Sequence, residues 1–223
     1  MRLLKYILIL LLFCNCDFKS ALDYVIEAEE LADNGKYYES NELLNKAIEK
    51  DPQFIGAYIN KGANFADLGQ HKKAIQVYQK ALFLDTKNTM LLFNLGNNYQ
   101  KIEDYTTALD YYNKAFKTKG GDKFYMDWNK EFDFVDVGQH FDIKGEEIYF
   151  QRGITYLELD SVNQAFSDLN NSLRRNYEVA ASLYYIGILY LKTYQDDLGC
   201  ENLRKSASLG YEHARITLKE YCN

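Results

Sequence analysis

Residues Ile55–Asn88 read IGAYINKGANFADLGQHKKAIQVYQKALFLDTKN, and the fold follows from this stretch. Small residues at Gly62 and Ala74 let two helices approach closely. Ala81 leaves room for a third. Tyr58, Phe65 and Tyr78 are spaced to fill the gaps where helices cross, ridges into grooves. Gly69 suits the left-handed residue that ends the first helix. Working outward, the small residue of the first helix recurs as Ala28, Gly62, Gly96, Gly153 and Gly187, at spacings of 34, 34, 57 and 34. The second-helix landmark recurs as Ala47, Ala81, Ala115, Ser172 and, one residue late, Ala207. One such unit cannot bury its own apolar face. A fixed period with a single interruption therefore predicts a stack of units that share one continuous core.

The residue types at these offsets resemble the tetratricopeptide repeat, a helix–turn–helix unit of about 34 residues. The resemblance covers most of the chain after about residue 20 and implies an all-α, right-handed superhelical solenoid of about five repeats plus a C-terminal capping helix. Residues 1–16 read as a signal peptide and 17–20 as a linker. Residues 21–122 hold repeats one to three, 123–145 an aromatic and acidic insert, and 146–223 repeats four and five with the cap. Gly120-Gly121 breaks the chain before the insert. The run ASLGYEHA at 207–214 resembles the linker of Sel1-like repeats, relatives of the tetratricopeptide repeat. It precedes a cap, Glu212–Tyr221, expected to turn Ala214, Leu218 and Tyr221 inward.

The composition agrees. Of 223 residues, 47% are hydrophobic and 15% aromatic, enough for a sizeable core. A single proline, Pro52, fits helices and short turns. The net charge is −6, and about −8 without Arg2 and Lys5. This acidic balance argues against nucleic acid as a partner, because phosphate contacts need clustered Lys and Arg.

The N-terminus, MRLLKYILILLLFCNC, has a basic start and an apolar run from Tyr6 to Phe13. The run is shorter than the roughly 20 residues of a spanning helix and fits a secretory signal. Its CNC ending resembles a bacterial lipoprotein signal, which implies lipid on Cys16, a membrane anchor, and a place in the cell envelope facing the periplasm or the cell surface. The residues alone leave an ordinary cleaved signal or an uncleaved anchor open.

Chemistry is scarce. His71, His140 and His213 lie in different units, and no HExxH, GxSxG, P-loop or GxGxxG occurs. Within the insert, Asp127, Asn129, Glu131 and Asp133 alternate like a calcium loop. However, Phe132 stands where that loop needs glycine and Gly138 where it needs glutamate. No enzyme activity, metal or cofactor is expected. The insert, with Trp128, Phe124, Tyr125, Phe132, Phe134 and Phe141, is read either as packing back on the solenoid or as a binding lip.

Tetratricopeptide proteins usually bind partners in the concave groove lined by the first helices. Carried over residue by residue, those groove positions fall on Ile59, Phe93, Asn97, Phe150, Ile154, Tyr184 and Ile188, with Asp67, Glu147 and Glu158 along an acidic rim. The resemblance thus implies a non-enzymatic adaptor that binds a protein or peptide. An envelope-complex assembly factor, or a carbohydrate or small-ligand binder using the insert, are the alternatives. At the C-terminal end, Cys200 lies ten residues before Gly210 and Cys222 twelve after it. In an antiparallel helix pair joined near Gly210 the two are nearly level. A disulfide and a pair of free thiols are both consistent with that placement.

Overall fold

A computed structural model describes residues 18–118 and 143–222. Cys16 and most of the insert, residues 123–142 with His140, lie outside the described residues. Among the described residues the chain is all helix. The helices are α1 (Ala21–Asp33), α2 (Tyr37–Lys50), α3 (Ile55–Asp67), α4 (His71–Leu84), α5 (Thr89–Lys101), α6 (Tyr105–Thr118), α7 (Gly145–Glu158), α8 (Val162–Arg174), α9 (Val179–Lys192), α10 (Asp196–Ser208) and α11 (Glu212–Tyr221). Each helix packs on its neighbour in the chain, so the molecule is a right-handed superhelical solenoid of helix pairs with a final unpaired helix.

The turn inside each pair is built the same way. Gly35 and Gly69 take φ of 73° and 70°, and the next N–H reaches back five residues to close a six-residue turn, Lys36 to the Leu31 carbonyl and Gln70 to the Phe65 carbonyl. This is the Schellman arrangement that glycine favours. In the later pairs Glu103, Asp160 and Tyr194 adopt the same left-handed conformation without being glycine, and the same six-residue bonds form from Asp104, Ser161 and Gln195. The tertiary frame therefore holds the turn even where the local sequence does not favour it. At the start of α1, Ser20 and Asp23 form a reciprocal capping box: the Ser20 hydroxyl accepts from the Asp23 N–H at 3.1 Å, and the Asp23 carboxylate accepts from the Ser20 N–H at 2.8 Å.

The small landmarks do what close packing requires. A Cβ added at Gly62 would lie 2.3 Å from the Tyr78 ring, and one at Gly96 would lie 2.6 Å from the Tyr112 ring. Ala28, Ala47, Ala74, Ala81, Ala108, Ala115 and Ala165 are fully buried. Tyr24, Tyr78 and Tyr112 are buried, whereas Tyr58, Tyr99, Tyr149, Tyr156 and Tyr190 are half-buried at the seams. There they meet other rings, as Phe116 meets Tyr149 at 5.1 Å and Phe166 meets Tyr190 at 4.8 Å.

The 57-residue step does not break the stack. Ile143 is buried against Leu92, Tyr112 and Ile148, so the chain re-enters the core just before α7. Arg152 on α7 then bridges the junction. Its Nε and Nη2 donate to the Asp168 carboxylate on α8 at 2.6 and 3.0 Å, and its Nη1 donates to Asn113 Oδ1 on α6 at 3.0 Å. The guanidinium also lies 4.7 Å from the Phe116 ring centre. Burial alone would favour releasing its proton, but the two bonds to Asp168 outweigh this and hold Arg152 charged.

The cap departs from expectation. Ala214 and Thr217 are its buried residues, Leu218 is half-buried, and Tyr221 is 60% exposed. Helix α11 packs on α10, so only a narrow stripe of its surface is covered. A disulfide joins Cys222 to Cys200 on α10, with Cα atoms 5.6 Å apart. That bond holds a helix which, unlike the others, has no second helix of its own.

Candidate binding surface

The first helices α3, α5, α7 and α9 carry the residues expected to line the groove. Helical periodicity places them on one face, but it does not set how deep each one sits. Ile59 is 4% exposed and belongs to the core shared by α3, α4 and α5. Phe93 and Phe150 are each 7% exposed. Phe93 packs 5.8 Å from the Tyr112 ring, and Phe150 packs 5.8 Å from Tyr177 and 6.1 Å from Tyr185. The expectation that these three side chains are spare for ligand therefore fails. The larger side chains are consumed by the helices around them, Ile59 by α4 and α5, Phe93 by α6, and Phe150 by Tyr177 and α9.

Asn97 is also engaged. It accepts a hydrogen bond at 2.7 Å from the hydroxyl of Tyr112, a fully buried residue whose hydroxyl also lies 3.3 Å from Gln100 Oε1. Burial pushes that hydroxyl well above the usual tyrosine range. Ile154 and Ile188 are half-buried and lean on the core of repeats four and five. Of the expected groove residues, Tyr184 has the fewest structural duties. It is half-buried, at the rim of an aromatic cluster.

That cluster is the most distinctive surface of the groove face. Tyr184 lies 5.1 Å from Tyr185, 5.2 Å from Tyr211 and 6.2 Å from His213, and Tyr211 lies 5.6 Å from His213. Tyr185 connects it inward to Phe150. His213 is exposed, and Tyr211 is half-buried. Carboxylates surround the cluster. Tyr177 is pushed up to about 12, by burial first and then by Glu147, Glu178 and Glu146. Burial, then Tyr211 and Tyr184, and finally Glu158 push Tyr185 up as well. Burial and Glu178 act on Tyr211 in the same direction. The arrangement presents ring faces and negative charge together, a combination that suits a cationic or amphipathic side chain.

Sequence reasoning missed Tyr185, Tyr211 and His213. Tyr185 is one residue beyond the groove register. Tyr211 and His213 belong to the start of α11, which reads as a cap rather than as the first helix of another unit. The signal was nonetheless present, since Gly210 takes φ of 90° and Tyr211 N–H bonds back to the Ser206 carbonyl, the same turn as in the units before it.

No group of three or more His, Cys, Asp or Glu side chains among the described residues is placed to hold a metal ion. His71 is instead bonded to Asn98 at 3.0 Å. Among the described residues no helix is long and apolar enough to cross a membrane.

Two family models match the chain, one described as TPR repeat over residues 62–103 and one described as tetratricopeptide repeat over residues 91–120. These units are tetratricopeptide repeats. Solved structures agree across the remainder of the chain. MamA from Desulfovibrio magneticus RS-1 superposes with a TM-score of 0.69 at 16% identity, covering 85% of this chain and 94% of that one. YrrB, described as a TPR protein with an unusual peptide-binding site, gives 0.67 at 20% identity, covering 90% and 92%. A Pseudomonas aeruginosa pilF structure gives 0.67 at 19% identity, covering 85% and 76%. No curated protein matches the chain in sequence. At these identities the likeness establishes the TPR solenoid. The cluster at Tyr184 lies at the junction of α9 with the start of α11, the two elements that carry its rings.

Proposed function

We propose that this protein is a non-enzymatic adaptor of the bacterial cell envelope, and that it grips a partner peptide or amphipathic helix at the C-terminal end of its groove. The observation that carries this reading is the cluster of Tyr184, Tyr211 and His213, only partly covered, with the negative charge of Glu178 acting on Tyr211 and that of Glu158 on the adjoining Tyr185. Partly exposed aromatic groups near negative charge are the kind of anchor from which binding hot spots are made. The charge steers a basic or neutral segment toward them. The peptide-binding site named for the similar structure YrrB supports the same ligand class.

The envelope location rests on the N-terminal pattern ending in Cys16 and on the Cys200–Cys222 disulfide, a bond that persists in oxidising compartments. Lipid on Cys16 would supply the membrane anchor. Stable attachment needs more than one acyl chain. Cys16→Ser should release the protein from membranes with the corresponding loss of mass, and a variant that stays bound at unchanged mass would refute the anchor.

The binding site is tested with a photo-crosslinking amino acid placed at position 184 in cells, with position 204 on the exposed side of α10 as control. The expected result is one dominant envelope protein crosslinked from position 184 and lost on Tyr211→Ala. The same products from both positions would overturn the assignment. Phe150 is not a suitable site for this test, because truncating a side chain that is 7% exposed would leave a cavity worth about 3–5 kcal/mol.

A further inference from the structure

The seam between the first two repeats is polar at positions that are mostly apolar in the others. Ile75, Leu109 and Phe166 hold the second-helix position that Asn41 holds here. Leu95 and Ile186 hold the first-helix position of Lys61, and Arg152, also at that position, is matched by Asp168. Asn41 is 5% exposed. Its Oδ1 accepts from Asn64 Nδ2 at 3.1 Å, and the same nitrogen donates to Ser40 Oγ at 2.8 Å. These bonds turn the Asn41 NH2 group away from Asn64, and it finds no acceptor; it is the one buried side-chain polar atom among the described residues left unpaired. A buried donor without a partner costs about 1–3 kcal/mol, so its retention calls for a reason.

The same residues border a concavity of about 350 Å³ between α2, α3 and α4. It uses none of the groove positions on the first helices. Lys61 lines it, half-buried, with its ammonium hydrogen-bonded to Asn45 Oδ1 and no carboxylate within ion-pair distance among the described residues. Burial first, and then Lys80, pull the Lys61 ammonium below the usual lysine range, while Glu42 pulls the other way. Lys73 adds a second cation, held over the Phe65 ring at 5.5 Å and bonded to Gln70 at 2.7 Å. Phe65 and the Tyr38 ring supply apolar wall, and Glu39 and Glu42 stand at the rim. Two cations, neither in an ion pair among the described residues, suit an anion. The rim glutamates oppose a doubly charged one, and the volume suits a small body.

We propose that this concavity binds a singly charged carboxylate carried on a compact apolar body, with Lys61 and Lys73 as its cations and Asn41 in its wall. Such a group has two sources, a free short-chain acid or the C-terminus of a polypeptide. The test uses the full chain, 15N-labelled, and follows the Asn41 side-chain amide pair by NMR. The probes are butyrate, N-acetyl-Ala-Leu with a free carboxylate, and the same dipeptide as its C-terminal amide. Saturable shifts with at least one of the two acids, with affinity falling about tenfold or more in Lys61→Met, are expected. Saturation by the dipeptide alone marks a chain terminus as the source, and saturation by butyrate alone marks a free acid. Lys61→Met removes a half-buried charge and should fold at least as well as the parent, so loss of binding in it reads the site. Non-saturating drift with both acids up to about 100 mM, equal shifts from the amide, or unchanged affinity in Lys61→Met would each overturn the proposal.

Discussion

Gly62→Ala isolates the close helix approach on which each repeat depends. Two effects oppose one another. Alanine is the better helix former by about 1 kcal/mol. Against that, its Cβ would lie 2.3, 2.5 and 2.7 Å from three ring carbons of Tyr78, well inside van der Waals contact. Tyr78 is 1% exposed and sits in the core with Ile75, Ala81 and Leu95, so the ring has nowhere to go. Overpacking of this kind costs about 1–3 kcal/mol, and the severity of the overlap places it at the upper end. The net expectation is a loss of about 2 kcal/mol. Gly56→Ala on the same helix is the control, because its Cβ would meet the Phe54 ring at an ordinary 3.5 Å and should gain a few tenths of a kcal/mol from propensity. The assay is urea denaturation followed by circular dichroism, with hydrogen exchange to confirm that α3 and α4 open first, as expected where units are coupled only to their neighbours. Tyr78→Leu placed in the Gly62→Ala background should recover part of the loss, a coupling of at least about 1 kcal/mol. Tyr78→Phe should recover none, since the clash is with ring carbons. A Gly62→Ala protein as stable as Gly56→Ala would refute the packing argument.

Asp168→Asn should cost about 3–5 kcal/mol by stranding Arg152, whose side chain is 13% exposed against 6% for Asp168, whereas Arg152→Met with Asp168→Leu should recover most of it; equal losses in the two variants, read by thermal melting, would refute a charge-stranding cause. Reducing the disulfide, or Cys222→Ser, releases a loop of 22 residues and should lower the stability of the α10–α11 end by about 3 kcal/mol, seen as faster amide exchange confined to α11. The raised tyrosines make the fold sensitive to alkali. Tyr177 is neutral in the folded state up to about 12 but ionises near the ordinary tyrosine value of about 10 when unfolded, so its contribution is intact below pH 10 and is lost as pH rises toward 12. Absorbance at 295 nm should show a late tyrosine class whose ionisation coincides with loss of helical signal, and a single titration near pH 10 in a still-folded protein would contradict it.

The period of small residues, the glycine turns and the spacing of aromatic landmarks were enough to specify helix pairs, their number and their stacking. These properties are local. A residue without a Cβ, a left-handed turn and a repeat of 34 each constrain the backbone before any distant contact forms. The interruption at residues 119–142 was legible as a longer step, but not that Ile143 and Arg152 would carry the core across it, because Arg152 draws its partners from α6 and α8, 39 and 16 residues away. Register likewise assigned Ile59, Phe93, Phe150 and Tyr184 to one face, yet depth separates them. Surrounding helices bury the first three, Ile59 against α4 and α5, Phe93 against α6, and Phe150 against Tyr177 and α9, whereas beside α11 Tyr184 keeps a half-buried ring near Tyr211 and His213. On α11 itself Tyr221 is exposed and Thr217 is buried instead. A helix face is determined by periodicity in the chain, whereas how much of that face is covered depends on which helices surround it, and that is decided in three dimensions.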